Sequence, residues 1–169
     1  MPAFNPESAT VKTRHALAHA QAMAKELGNP EVSSLHLLTA AVQQDGGLVG
    51  PLLERAGVHA GAVQRALATA LGKLPKVSGA DLRVARELGE ALDLAAKEAA
   101  DLKDKFVSTE HVLLALVSDA ALRKDVRAAK VLRELGASRD LLLSALRDVR
   151  GNQTVDTQDP EGKYEALAK

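Results

Sequence analysis

Along most of the chain, apolar residues recur three and four positions apart, which is the spacing of one face of an α helix. Gly, Pro and Asn, residues that end helices or form turns, separate these stretches. The pattern predicts eight helices, at residues 10–27, 33–44, 49–56, 60–71, 81–102, 108–118, 130–135 and 138–149. We therefore expect an all-α fold.

A short segment occurs twice. Residues 32–38 (VSSLHLL) return 75 positions later as residues 107–113 (VSTEHVL), and each copy opens an apolar run. A Ser before such a run is a good helix N-cap, because its side-chain oxygen accepts a hydrogen bond from a free N–H of the first turn. The sequence predicts two tandem pseudo-repeated four-helix units, at residues 10–72 and 85–149, packed into one eight-helix domain. The apolar positions of the preceding helices match at the same offset: Leu17, Ala20, Ala24 and Leu27 correspond to Leu92, Ala95, Ala99 and Leu102.

The composition changes after the second unit. Residues 151–159 are polar or Gly except for Val155, and such a segment has too few apolar side chains to fold alone. Pro160 and Glu161 then open a helix-like pattern that continues to Lys169. We expect residues 1–149 to form one domain and residues 150–169 to form a linker and the start of a further domain.

The amino-acid composition and charge argue against several classes of function. Of the 169 residues, 46% are apolar but only 2% are aromatic, so Ala and Leu supply the core. The 22 basic and 22 acidic residues cancel, which gives no electrostatic reason to expect binding to nucleic acid or to a membrane. There is no cysteine, which excludes disulfides and thiolate chemistry. No signal-peptide pattern and no apolar run of the ~18 residues needed for a membrane span are present, so we expect a cytoplasmic protein.

The sequence offers no motif for catalysis. The Gly-Lys pairs at 72–73 and 162–163 lack the following Ser or Thr and the preceding Gly of a phosphate-binding loop. His15 and His19 lie one helical turn apart, but no third ligand accompanies them, which favours ordinary surface histidines over a metal site. We expect no enzyme activity, metal or cofactor in this chain.

His36 and His111 occupy the same place in the two repeats. Each is the third residue after a capping serine, Ser33 or Ser108. We predict that both histidines make local hydrogen bonds and pack within the first helical turn.

Two other features have a structural and a functional interpretation. Leu94 lies off the apolar stripe that contains Leu92, so it either forms a second packing face or lines a partly exposed groove for apolar peptides. Asp104 and Glu110 flank the start of the sixth helix, where the helix dipole alone explains two carboxylates. The alternative is an acidic rim beside that groove.

Four groups of residues carry a resemblance to a known family. They are residues 10–12 (TVK) with 16–21 (ALAHAQ), 33–38 (SSLHLL), 52–57 (LLERAG) and 108–113 (STEHVL). Together they resemble the N-terminal domain of Clp chaperones, over nearly the whole chain. Residues 155–167 (VDTQDPEGKYEAL) resemble the linker that leads into the first ATPase module in the bacterial disaggregases of that family.

The resemblance implies a mobile, non-catalytic module on a hexameric ATPase ring. Such a module engages unfolded or aggregated polypeptides and delivers them to the pore. ATP and Mg²⁺ would be bound elsewhere in the parent protein, and DnaK-type chaperones would act through another domain. The family's substrate-handling positions correspond to Thr10 before the first helix, Asp104 and Glu110 at the sixth, and Leu92 and Leu94 in the groove. A further groove position, Leu in some relatives, is His111 here, which makes that end of the groove more polar.

Three alternatives remain open. The same fold could dock a dedicated folded adaptor for another Clp ATPase. It could also be a free-standing helical scaffold. An enzyme is the third alternative, and no motif favours it.

Overall fold

The computed structural model describes residues 3–79, 81–151 and 153–160. These residues form nine α helices and two short strands, which confirms the all-α prediction. A 3-10 turn at Pro6–Ser8 precedes the first helix, and no helix in the described ranges is long and apolar enough to cross a bilayer. The helices are α1 (Val11–Glu26), α2 (Ser34–Gln43), α3 (Val49–Arg55), α4 (Ala60–Gly72), α5 (Arg86–Asp101), α6 (Thr109–Leu116), α7 (Asp119–Arg123), α8 (Arg127–Glu134) and α9 (Arg139–Arg150). The strands are β1 (Glu31–Val32) and β2 (Arg83–Val84).

Two differences from the predicted helices have physical causes. The helix predicted at residues 81–102 begins only at Arg86, because residues 83–84 pair with β1. The described residues also contain α7, which the sequence pattern missed because five residues are too few to show a helical period. The Ser118 side chain caps α7 by accepting the Ala121 N–H at 3.2 Å.

The predicted helix boundaries at the two repeated segments are confirmed. Ser33 and Ser108 cap α2 and α6, and each forms a capping box with the histidine three residues later. His36 Nδ1 accepts the Ser33 N–H at 2.9 Å, and His111 Nδ1 accepts the Ser108 N–H at 2.8 Å. The two histidines therefore make the first-turn hydrogen bonds that their spacing predicted.

Helices α2 and α6 form the centre of the domain. Every residue of α6 is buried, and so is every residue of α2 except the last. A helix that is apolar on all sides must be covered on all sides. Their long neighbours α1 and α5 pack against them and bury Ala at the contact positions, which allows the helices to approach closely.

Short main-chain pairings join the two halves of the chain. Strands β1 and β2 are parallel, with Val32 opposite Val84, and an isolated parallel bridge pairs Ala9 with Val107. The Ala85 N–H donates to the Val32 carbonyl at 2.9 Å, and the Thr10 N–H donates to the Val107 carbonyl at 3.0 Å. The two donors, Ala85 and Thr10, are 75 positions apart in sequence, and so are the two acceptors, Val32 and Val107. The repeated segment has the same offset, which is consistent with the predicted tandem repeat.

A buried carboxylate ties three helices together. Glu87 of α5 accepts the Ser34 N–H at 2.8 Å and the Arg127 N–H at 2.8 Å, and it also binds the Ser34 hydroxyl. The Ser34 oxygen in turn accepts the Ala128 N–H at 3.0 Å. Glu87 and Ser34 thereby satisfy free N–H groups at the first turns of α2 and α8, a favourable place for a negative charge.

Candidate functional site

The six residues expected to handle substrate have buried side chains. The exposed fraction is 0% for Thr10, Glu110 and His111, 5% for Leu94 and 9% for Leu92. The Asp104 side chain is also 0% exposed, although part of its main chain reaches solvent. None of the six therefore presents an open contact surface in this conformation.

Leu94 does not have the partial exposure that its position off the stripe suggested. It belongs to the hydrophobic core together with Leu92, so α5 is buried on two sides. The second-packing-face interpretation thus describes Leu94 in this structure. Its neighbour Glu98, also buried, forms a bidentate pair with Arg139 at 2.7 and 3.1 Å.

One polar cluster is centred on Asp104. It contains or borders four of the six predicted residues: Thr10, Asp104, Glu110 and His111. One carboxylate oxygen of Asp104 accepts the His111 Nε2–H at 2.7 Å and lies 2.8 Å from Arg150 Nη1. The other accepts the Val155 N–H at 2.8 Å. Burial acts to raise the pKa of Asp104, but the hydrogen bonds from His111 and Val155 and the charge of Arg150 outweigh it and hold the pKa below its usual value.

The cluster fixes the protonation of His111. Its Nδ1 accepts the Ser108 N–H, so the ring proton must sit on Nε2, where it is donated to Asp104. Burial lowers the pKa of His111 and outweighs the opposing hydrogen bond to Asp104. The imidazole is therefore neutral near pH 7. Its hydrogen bonds link the loop that contains Asp104 to the start of α6.

Arg150 and Glu110 complete the cluster. Arg150, the last residue of α9, is only 7% exposed, and its Nε lies 3.6 Å from a Glu110 carboxylate oxygen. Sequence reasoning missed Arg150, although a signal existed: it follows Leu142 and Leu146 at four-residue steps, on the buried face of α9. A long cation on an apolar face needs a buried anion, and here it has two.

Thr10 lies at the edge of the same region. Its hydroxyl caps α1 by accepting the Thr13 N–H at 3.3 Å and pairs with the Thr13 hydroxyl at 2.8 Å. The Thr13 hydroxyl donates to the Val107 carbonyl at 3.0 Å. The cap therefore also fastens the start of α1 to the loop before α6.

Residues 153–160, which we call the C-terminal strap, lie across this region. Lys105 N–H donates to the Val155 carbonyl at 2.8 Å, and Val11 N–H donates to the Gln158 carbonyl at 2.7 Å. The Val155 side chain is fully buried, and Pro160 is buried too. The strap falls within the segment predicted as a linker, yet its first residues pack against the domain. The helix-like pattern predicted from Glu161 onward lies outside the described residues.

The larger open depressions lie elsewhere on the surface. A groove of about 700 Å³ lies between α1 and residues Val77, Gly79, Asp81 and Leu82, and the Val77 side chain is 49% exposed. A second of about 480 Å³ lies between α4 and α8 and combines Leu35 and Val131 with the cations Lys73, Arg127 and Lys130. Neither groove contains a predicted substrate-handling residue.

The polar groups of this region bind main chain. Among the described residues no group of three or more His, Asp or Glu side chains could hold a metal ion, and His15 and His19 are both exposed. The polar atoms of the Asp104 cluster bind loop and strap main chain, and its charges pair with each other. The region binds the strap through two N–H donors, on Val11 and Lys105, and the Asp104 carboxylate, and it buries the Val155 side chain.

Comparisons with known proteins identify the family. Residues 8–134 match the Clp repeat (R) N-terminal domain. The chain is 39% identical over 168 residues to the chaperone protein ClpB of Rhodopirellula baltica, covering 99% of this chain and 18% of the relative. It therefore spans less than a fifth of the length of that relative.

Solved structures share the fold. The N-terminal domain of Hsp104 from Candida albicans has 25% identity and a TM-score of 0.75, covering 91% of this chain and 99% of that one. A ClpV N-domain in complex with a VipB peptide has 20% identity and a TM-score of 0.71, covering 90% and 92%. With a family match over most of its length and a ClpB relative over all but a few residues, the chain belongs to the Clp N-terminal domain family.

Proposed function

We propose that this chain is the non-catalytic substrate-recognition domain of a ClpB-type disaggregase. It binds exposed apolar segments of unfolded or aggregated proteins and passes them to the ATPase ring of a cytoplasmic hexamer. The observation that carries the proposal is the 39% identity to a ClpB chaperone over 99% of this chain. ATP and Mg²⁺ would be bound by the rest of that protein, and DnaK-type chaperones would act through other domains.

The region around the Asp104 cluster is the substrate-binding region in this proposal. Four of the predicted residues lie beneath the strap in this region: Thr10, Asp104, Glu110 and His111. The other two, Leu92 and Leu94, pack in the hydrophobic core. Burial gives the residues beneath the strap a positioning role: Thr10 and His111 fix helix starts, and Asp104 fixes the loop beside the strap. Tethering six such domains on one ring would compensate for weak binding at each site by raising the local concentration of sites.

Docking of a dedicated adaptor is the second candidate function. The structurally similar ClpV N-domain is described in complex with a VipB peptide, so this fold is able to receive a defined peptide. The two functions differ in their ligands. An adaptor site recognises one folded partner or one sequence, whereas a disaggregase domain accepts many unrelated unfolded chains.

A binding titration tests the proposal. We expect this chain to bind a fluorescent, permanently unfolded protein saturably, without ATP hydrolysis, and to bind the native form of the same protein far more weakly. A second unfolded protein of unrelated sequence should compete. Absence of binding up to millimolar concentration would contradict the proposal, and a single stoichiometric folded partner recovered instead would favour adaptor docking.

A further inference from the structure

Main-chain hydrogen bonds hold the C-terminal strap at Val155 and Gln158. Val155 uses both its N–H, to Asp104, and its carbonyl, from the Lys105 N–H, each at 2.8 Å. Gln158 contributes only its carbonyl, to the Val11 N–H. The side chains from Asp156 to Asp159 are exposed. The surface beneath the strap therefore recognises main-chain groups and one aliphatic side chain.

The strap is also only lightly attached. It orders eight residues while burying two apolar side chains, Val155 and Pro160. Fixing that much backbone costs conformational entropy that so little buried area only narrowly offsets. The positive φ of Gly151 between α9 and the strap gives the chain a sharp turn at its attachment point. Such a segment is able to leave without disturbing the helices.

A segment in the first half of the chain crosses the domain in a comparable place. There the Val77 N–H donates to the Gly28 carbonyl at 2.8 Å, and the Asn29 amide donates to the Pro75 carbonyl at 3.0 Å. That segment continues directly into β2 and the second unit, so it is held at both ends.

We propose that the surface beneath the strap is an acceptor site for a segment of unfolded polypeptide, and that the strap is its internal competitor. The incoming segment would place an aliphatic residue in the Val155 pocket. Its carbonyls would accept the Val11 and Lys105 N–H groups, and its N–H would donate to Asp104. This inference rests on the proposed function and supplies its recognition mode. It also places buried residues such as Thr10 and Asp104 at a binding site, because displacement of the strap uncovers the region that they shape.

Releasing the strap tests the inference. Val155→Asp places a charge in a fully buried pocket, and Val155→Ser removes the aliphatic contact more gently. Thr157→Asp is the matched control, because it adds the same charge to the strap at an exposed position. Amide hydrogen exchange at Val11 and Lys105 reports strap release directly, since both N–H groups donate to strap carbonyls. Circular dichroism verifies that each variant keeps its helices.

The expected result is tighter binding of the permanently unfolded protein when the strap is released. A competitor that is docked about 90% of the time weakens the apparent affinity about tenfold. Val155→Asp should therefore lower the Kd about tenfold, Val155→Ser should lower it less, and Thr157→Asp should leave it unchanged. A synthetic peptide with the sequence of residues 150–160 should compete with the unfolded protein for the Val155→Asp variant.

Two other outcomes distinguish a failure of this inference from a failure of the proposed function. Equal Kd values for the wild type and both Val155 variants, with faster exchange at Lys105, would overturn the inference and leave the proposed function standing. If the unfolded protein bound to none of the variants, the proposed function would fail and this inference with it.

Discussion

Asn29 and Asp104 receive the same hydrogen bond in the two halves of the domain. Asn29 Oδ1 lies 2.9 Å from His36 Nε2, and Asp104 Oδ2 lies 2.7 Å from His111 Nε2. The two acceptors are 75 positions apart, like the histidines they bind. The second polar atom of each side chain differs. The Asn29 amide nitrogen donates to the Pro75 carbonyl, whereas the second Asp104 oxygen accepts the Val155 N–H of the strap. One change from amide to carboxylate therefore reverses which kind of main-chain group is held.

Replacing Asp104 by Asn should loosen the strap. Both Asp104 oxygens accept hydrogen bonds, and an amide has only one accepting end, so either His111 or Val155 loses its acceptor. Arg150 also loses its nearest anion. We expect a loss of about 1–3 kcal/mol in the free energy of unfolding and faster hydrogen exchange at Val155.

The reciprocal change, Asn29→Asp, is the matched comparison. It places a carboxylate opposite the Pro75 carbonyl, which then lacks its donor. We expect it to destabilise the domain without changing exchange at Val155. Unchanged exchange at Val155 in Asp104→Asn would contradict the assigned role of Asp104.

The two buried histidines should make stability fall in mild acid. Burial is the main reason that the pKa of each lies below its usual value. Below about pH 6.5 the unfolded chain binds protons at these positions before the folded one does, which favours unfolding. Each histidine then lowers the free energy of unfolding by up to about 1.4 kcal/mol for each pH unit. The lowered pKa of Asp104 acts in the same direction below about pH 3.9.

Urea unfolding at pH 8.0, 6.5 and 5.0 measures this dependence. His36→Gln and His111→Gln should each flatten it, because Gln at the third helical position still caps the helix but does not titrate. His59→Gln, at an exposed position, is the control for replacing a histidine by Gln. An equally steep dependence in the wild type and in His111→Gln would exclude the assigned neutral imidazole.

Glu87→Gln should destabilise the junction of α2, α5 and α8. The Glu87 carboxylate accepts main-chain N–H groups on both oxygens, so the amide nitrogen of Gln would face a donor on one side. We expect about 1–3 kcal/mol of lost stability by denaturant unfolding. Glu90, whose ion pairs with Arg86 and Lys124 are partly exposed, is the control. Glu90→Gln should cost less than about 1 kcal/mol, and equal losses at the two positions would contradict the account.

Leu92 and Leu94 should behave as core residues. Leu94→Ala is expected to cost about 2–5 kcal/mol of stability, because the cavity it leaves is enclosed. Leu141→Ala, at a side chain that is 49% exposed, should change stability by less than about 1 kcal/mol. A stable Leu94→Ala variant that had lost binding to unfolded protein would show instead that Leu94 contacts substrate directly.

The local parts of this fold could be predicted from sequence. Ser33, Ser108 and Ser138 begin α2, α6 and α9. Turns with positive φ at Gly28, Gly57 and Gly136 follow α1, α3 and α8. Such caps and glycine turns depend on a few neighbouring residues. The β1–β2 pairing could not be predicted, since two-residue strands have no period and depend on contacts between distant residues.

The candidate site could be predicted only in part. Of the six positions that the resemblance indicated, the structure brings four to one region: Thr10, Asp104, Glu110 and His111. Leu92 and Leu94 lie in the hydrophobic core instead. The resemblance did not indicate Arg150, which reaches the four from the far end of the chain. It also did not indicate that Val155 is buried, because one apolar residue in a polar segment gives no pattern to detect.

The most direct test of substrate recognition is amide chemical-shift mapping of this chain during titration with a permanently unfolded protein. The account predicts saturable shifts centred on the N–H groups of Val11, Lys105 and Val155, where the unfolded segment exchanges with the strap. Shifts confined to the groove between α1 and residues Val77, Gly79, Asp81 and Leu82, or no shifts at all, would contradict it.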